Sequence, residues 1–294
     1  MTAKRTLERL IAHHFPGAQL QSFSALAGGV SADVSLLELI LADGTPRKLV
    51  LRAHGKRHCG LPLGTEFDLL RALASASLPV PEPLDKDESN AILEHPYVLL
   101  EYVEGSTEIP SDCVGERIDA MAQQLVAIHQ SDTAALPALP PRSDPVPELL
   151  GFLGEDAEWD RLRAALRLLG DCPSTSRISL LHGDYWPQNI IWKNNAVAAV
   201  IDWEDAGLGD PISDVACACL ELSYLYGQEG AAQFSESYQK ALPVDPFRFA
   251  LWQAYVAASG VQSMGNWGLP PERVASMRMV ARASIREATT KIIR

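Results

Sequence analysis

The stretch His182-Gly183-Asp184-Tyr185-Trp186-Pro187-Gln188-Asn189 is followed, after a short apolar hairpin, by Asp202. It sets out a carboxylate, a carboxamide five residues on, and a second carboxylate thirteen residues beyond that. Phosphoryl transfer from a nucleotide needs such a set: one group orients the attacking hydroxyl, and two oxygen donors hold Mg²⁺ against the phosphates. In that chemistry Asp184 orients, and accepts a proton only late, because the hydroxyl loses it late in a loose transition state. Asn189 offers a side-chain carbonyl to the metal and Asp202 a charged ligand. A hard cation prefers oxygen, which leaves the cysteines out. His182 reads as architectural, hydrogen-bonding within its own loop.

The elements that must position these groups are legible around them. Ser179-Leu180-Leu181 leads in as a strand, Ile190-Ile191-Trp192 forms a second, and Lys193-Asn194-Asn195 has turn chemistry. Ala196 to Ile201 returns as a third strand, a hairpin that would bring Asp202 back beside Asn189. Further upstream, Ser22–Leu26, Asp33–Leu41 and Arg47–Ala53 are β-rich, the last two joined through Asp43-Gly44, and Tyr97–Val103 is a buried strand. Glu66–Ala76 has helical periodicity, as does the segment around Leu7, Leu10 and Ile11, and Leu78–Pro83 must be extended because its prolines bar helix. Beyond residue 104 the pattern turns helical: Ile118–Ile128, Leu149–Leu169, Ile212–Tyr226, Phe247–Gly260 and Pro271–Ile293, with Ala135–Pro147 a proline-rich loop. Strands first and helices later predict an α+β fold of two lobes, residues 1–103 and 104–294.

Composition narrows the class. The 294 residues are 47% hydrophobic and 21% charged, with a formal charge of −12. That balance excludes a nucleic-acid binder, which needs a basic surface. No apolar run approaches the length of a membrane span, no signal peptide is evident, and five scattered cysteines suit a reducing, cytoplasmic setting. No protein partner is evident from the sequence.

Other residues could serve the same chemistry. Gly28-Gly29, with Ser31, lies between two candidate strands, where backbone N–H groups can point at phosphate oxygens. Taken alone, the pair is a tight turn. Arg52 ends a strand within reach of a phosphate, and Glu66 on the next helix can pair with it; their plain reading is an edge-strand charge and a solvated helix face. Asp210 reads as a helix cap ahead of Pro211. Asp214, in a strongly apolar helix, requires a specific buried partner. Glu155–Asp160 reads as a solvated acidic face. Trp186 and Trp203 read as core packing.

The stretch LLHGDYWPQNIIW…AVIDWEDAGLGDPISDVA resembles the aminoglycoside phosphotransferase family, relatives of protein kinases that also include choline and homoserine kinases. The loop over 27–33 and Glu66-Phe67-Asp68-Leu69-Leu70-Arg71 support the resemblance. It implies a bilobal kinase-like fold with a small β-rich N-lobe that binds ATP and a larger helical C-lobe that holds the catalytic and acceptor sites. It implies Asp184 as catalytic aspartate, Asn189 and Asp202 as Mg²⁺ ligands, and Arg52 with Glu66 as the phosphate-positioning pair. Glu101 and Val103 would contact adenine through backbone groups, and Asp214 would brace the catalytic loop. Arg52 stands where protein kinases carry lysine, Asp33 where the family often has a neutral residue, and Trp203-Glu204 where protein kinases have Phe-Gly.

The expected function is transfer of the γ-phosphate of ATP to a hydroxyl of an aminoglycoside-like or other amino-alcohol molecule. The alternatives are a macrolide or metabolite kinase of the same kind and a pseudokinase scaffold that binds nucleotide only. The scaffold has no chemical need for Asp184, Asn189 and Asp202 together.

Overall fold

The computed structural model describes residues 3–26, 32–55, 60–173 and 177–294. The chain divides into two compact units: residues 1–105 with 135–138 and 198–204, and residues 106–134 with 139–197 and 205–294.

The first unit is built on an antiparallel five-stranded sheet of order β1-β2-β3-β5-β4. Its strands are β1 (Gln19–Ala25), β2 (Ala32–Ile40), β3 (Pro46–His54), β4 (Pro83–Asp87) and β5 (Tyr97–Glu101). The β2–β3 turn is closed by the Leu41 N–H to the Thr45 carbonyl at 2.9 Å and by the Asp43 carboxylate accepting from the Thr45 N–H. Pleating alternates side chains between faces, and one face of β3 is apolar through Leu49 and Leu51. These pack with Leu37, Leu39 and Leu99 against Leu7, Leu10 and Ile11 of helix α1 (Ala3–His14). Each such fully buried leucine contributes about 1.5–3 kcal/mol. Arg52 and His54 take the opposite face of β3, the face that meets Glu66 of helix α2 (Leu63–Ser75). Asp33 pairs with Ala53 across β2–β3, so it points away from the Arg52 side. β4 is a strand that the proline-rich lead-in did not announce.

The second unit is mostly helical: α3 (Val114–Gln130), α4 (Val146–Phe152), α5 (Asp160–Leu169), α6 (Ile212–Gln239), α7 (Pro246–Ser263) and α8 (Pro271–Ile292). Its core joins Leu149, Leu162 and Leu166 to Leu251, Met277 and Ile285. The single helix expected over Leu149–Leu169 is two, because Gly154 takes φ 56° and a short 3₁₀ turn, Ala157–Trp159, intervenes. Helix α6 likewise runs on past Tyr226 through a kink at Gly227. The Ala135–Pro147 loop contains the two-residue strand β6 (Pro141–Arg142) and the start of α4. β6 lies parallel to β10 (Gly207–Gly209), which also pairs with β7 (Ser179–Leu181). β8 (Ile190–Lys193) and β9 (Ala196–Val200) form the expected hairpin, with Asn194 and Asn195 at φ 50° and 63° in its tight turn. Among the described residues, no helix is long and apolar enough to cross a membrane.

Candidate active site

In the second unit the site begins at the end of β7, where the chain enters the loop carrying Asp184. Asp214, on the first turns of α6, is 1% exposed and accepts the backbone N–H of His182 at 2.7 Å and of Gly183 at 3.0 Å. The oxygen that takes the His182 N–H also meets the His129 imidazole Nε2 at 3.2 Å, and His129 Nδ1 lies 2.7 Å from the Tyr238 hydroxyl. Burial raises the Asp214 pKa, but the His129 hydrogen bond, the neighbouring His129 and His182 and the His182 N–H together bring it below the usual carboxylate value. This is the buried partner that an aspartate in an apolar helix required. Gly183 sits at φ +87°, and a Cβ there would fall 2.0 Å from the Asp205 carbonyl, so no other residue fits this loop. His182 is fully buried and accepts the Asp184 N–H at 3.3 Å, the architectural role its position suggested.

Asn189 lies in a 3₁₀ turn, Pro187–Asn189, before β8. Its amide donates to the Asp184 carbonyl at 2.8 Å and to the Asp184 carboxylate at 3.1 Å. The amide nitrogen is thereby turned to Asp184, and the side-chain carbonyl remains as a donor for a cation. Asp184 also lines a cavity of about 220 Å³ with Asp205, Arg142 and Glu221. Burial first, and then the charge of Asp184, push the Glu221 carboxyl up to about 8.

In the first unit, Arg52 gathers three carboxylates: Glu66, Asp202 at 2.9 Å and Glu204. Burial alone would lower the Arg52 pKa, but the charges of Glu66, Asp202 and Glu204 outweigh it and raise it. The pair Arg52–Glu66 thus forms, and the solvated-face reading of Glu66, which is 2% exposed, does not hold. Glu66 also meets His54 Nε2 at 3.1 Å. Asp202 adopts φ 65°, an unusual backbone state for a residue other than glycine, which marks a strained position of the kind found at functional sites. Trp203 is buried and bonded to the Val200 carbonyl, as core packing requires. Glu101 ends β5 with its N–H already given to the Glu82 carbonyl at 2.9 Å, and Val103 follows half-buried. Gly28, Gly29 and Ser31 lie outside the described residues.

Three further readings change. Asp210 is more than a cap: one oxygen accepts the Ile212 N–H, and the other holds Arg248 at 2.6 Å and the Trp252 indole N–H at 2.8 Å. Pro211 also precedes α6 instead of opening it, since the helix begins at Ile212. The acidic run over 155–160 is not simply solvated: Asp156 and Glu158 bind Arg282, which stacks on Trp159. Sequence reading missed His54, Glu204, Arg142, Glu221 and Tyr224. Only His54 had a signal, its spacing of two from Arg52 on one strand.

The donors suit magnesium. Among the described residues no three His, Cys, Asp or Glu side chains cluster to hold a metal unaided. Mg²⁺ ordinarily takes one or two protein oxygens and completes its shell with phosphates and water, and within the second unit the side-chain carbonyl of Asn189 is an oxygen of the kind it accepts.

The model of the phosphotransferase enzyme family matches residues 22–252. Mouse acyl-CoA dehydrogenase family member 10 is 34% identical over 204 residues, 61% of this chain and 18% of that protein. Viomycin phosphotransferase of Streptomyces vinaceus is 27% identical over 184 residues, 55% of this chain and 62% of that one. The chain therefore spans less than two thirds of the length of either. A thermostable mutant of aminoglycoside phosphotransferase APH(4)-Ia, solved in ternary complex with AMP-PNP and hygromycin B, superposes with a TM-score of 0.67 at 20% identity, covering 96% of this chain and 98% of that one. That likeness shows the fold: a β-sheet N-terminal region followed by a helical C-terminal part, as the sequence led us to expect.

Proposed function

The chain belongs to the phosphotransferase enzyme family, and on that premise we propose that it transfers the γ-phosphate of ATP to a hydroxyl of a small amino-alcohol molecule. The observation that carries the proposal is the seating of Asp184. Its loop is pinned through two backbone N–H groups by Asp214, its carboxylate is held by Asn189, and it faces a cavity. A carboxylate so fixed orients an acceptor hydroxyl, and takes its proton as the oxygen attacks phosphorus in line with the departing ADP. ATP supplies the phosphoryl group and ADP leaves with the former bridging oxygen, so the transfer balances.

In this reading the first unit binds nucleotide and the second holds the catalytic loop and the acceptor. Arg52, steered by Glu66, neutralises phosphate charge, as a fixed guanidinium does well. Glu101 and Val103 contact adenine through the backbone; Gly28, Gly29 and Ser31, expected at the phosphates from the sequence, lie outside the described residues. Asn189 and Asp202 would hold Mg²⁺, which supplies charge neutralisation at the phosphates when bound. Binding of AMP-PNP and hygromycin B by the solved aminoglycoside phosphotransferase supports the nucleotide and the hydroxylated acceptor.

The test is transfer of label from γ-³²P-ATP, with Mg²⁺, to a panel of aminoglycosides, macrolides, choline, homoserine and simple amino-alcohols. Labelled product from one or more members supports the assignment. Saturable ATP binding without transfer to any would favour the nucleotide-binding scaffold.

A further inference from the structure

The cavity beside Asp184 carries a recognition device that the transfer chemistry does not use. It lies wholly within the second unit. Glu221 and Tyr224, three residues apart on α6, both line it, and side chains at that spacing share a helix face. Two features there lack an internal explanation. The Tyr224 side chain is buried, 8% exposed, yet its hydroxyl has no hydrogen-bond partner. No hydrogen bond or ion pair among the described residues engages the Glu221 carboxyl either. Buried polar groups are satisfied as a rule, so the orphaned Tyr224 hydroxyl, with the half-buried Glu221 carboxyl beside it on the same cavity wall, is left for a ligand.

The charge and walls of the cavity define that ligand. Asp184, Asp205 and Glu221 line it against one cation, Arg142. Trp252, Tyr255 and Trp267 supply aromatic walls, and the polar ends of the first two are already committed, to Asp210 and Glu148. Carboxylates beside aromatic faces favour an ammonium group. At about 220 Å³ the cavity is smaller than the ~300 Å³ and upward typical of sites for drug-sized ligands.

Resting on the small-alcohol kinase reading, we infer that Glu221 and Tyr224 select a compact cationic alcohol of about one ring, Glu221 taking its ammonium and the Tyr224 hydroxyl one of its polar groups. An arriving ammonium adds to the charge of Arg273, which alone does not outweigh the burial and the Asp184 repulsion that raise the Glu221 carboxyl. The Tyr224 phenol, pushed up by burial and by Glu221, stays a hydroxyl and so can donate or accept. Multi-ring drugs would place only one ring here.

The test is calorimetric titration of the whole chain with 2-deoxystreptamine, a one-ring diamine, and with myo-inositol, a neutral ring of similar size. Wild type should bind the diamine at least about tenfold more tightly, the size of one charge-assisted hydrogen bond. Glu221→Gln should reduce that preference to about threefold or less, Glu221→Asp should keep part of it, and Tyr224→Phe should weaken both rings alike. Hygromycin B should bind no better than the single ring. Equal affinity of wild type for the two rings, no binding of the diamine, an undiminished preference in folded Glu221→Gln, or a clear gain for hygromycin B would overturn the inference. Transfer of label from ATP is followed in the same samples. A bound diamine that is never phosphorylated counts against the kinase reading and leaves the pocket assignment standing.

Discussion

The guanidinium of Arg52 reaches the carboxylate of Asp202 at 2.9 Å, although 150 residues of sequence separate them. The contact is possible because β3 turns Arg52 off its apolar face and because residues 198–204 join the first unit. One side chain thus ties the proposed phosphate-positioning pair to a proposed magnesium ligand.

Removing that cation takes one counter-charge from three acids. Arg52→Met should cost about 3–5 kcal/mol, since breaking a buried ion pair takes the guanidinium from Glu66 and leaves His54 against its charge. Arg52→Lys should cost less, because lysine keeps the charge but cannot fork between carboxylates. Chemical denaturation of the variants orders them. Equal stability of Met and Lys variants would show that charge balance at this position is unimportant.

Asp214→Asn should cost about 2–3 kcal/mol near pH 7, because the amide can neither repeat the acceptor geometry nor keep the charge. The Asp214 pKa is lowered on folding, so its ionised form stabilises the protein fully above the unfolded value of 3.8, and this contribution is lost as pH falls through the lower folded value. The gap between wild type and Asp214→Asn should therefore close in acid. Melting curves from pH 7 down to pH 3 check the sign. The variant should also lose kcat far more than ATP affinity.

Gly183→Ala should fail to reach native activity. Its Cβ meets the Asp205 carbonyl at 2.0 Å and its φ is +87°, so the loop must move. The expected loss in kcat is at least about tenfold, from misplacement of Asp184. A variant with normal kcat would mean that loop geometry does not limit turnover.

Glu221→Gln should stabilise the empty protein, and more so in alkali. The Glu221 pKa rises from 4.5 to about 8 on folding. The wild-type carboxyl therefore costs nothing below pH 4.5 and destabilises progressively as pH climbs toward 8. The advantage of the amide should be near zero at pH 4.5 and on the order of 1–2 kcal/mol by pH 8.5, a few degrees in Tm, allowing for partial solvent access. Identical melting at both pH values would contradict it.

How much of this was legible depended on whether a residue's chemistry broke its surroundings. Asp184, Asn189 and Asp214 stood out because acids and amides interrupt apolar strands and helices, which burial penalises unless there is a reason. Arg52 and Glu66 could be paired because a cation ending a strand suits an acid on the next helix and the family resemblance implied the same pair. Glu221 and Tyr224 could not, since on α6 they fit an ordinary amphipathic stripe, and only folding brings α7 and Trp267 opposite them. Arg142 hid among prolines that read as a loop and became a strand by pairing with β10. The break at Gly154 and the kink at Gly227 needed a left-handed backbone that a lone glycine permits but does not demand.

The most direct measurement is single-turnover transfer from γ-³²P-ATP in wild type and Asp184→Asn, using whichever acceptor the panel identifies. The account predicts that Asp184→Asn binds ATP and acceptor as wild type does while its transfer rate falls by about 10²–10⁴-fold. Transfer at the wild-type rate by the folded variant would contradict it.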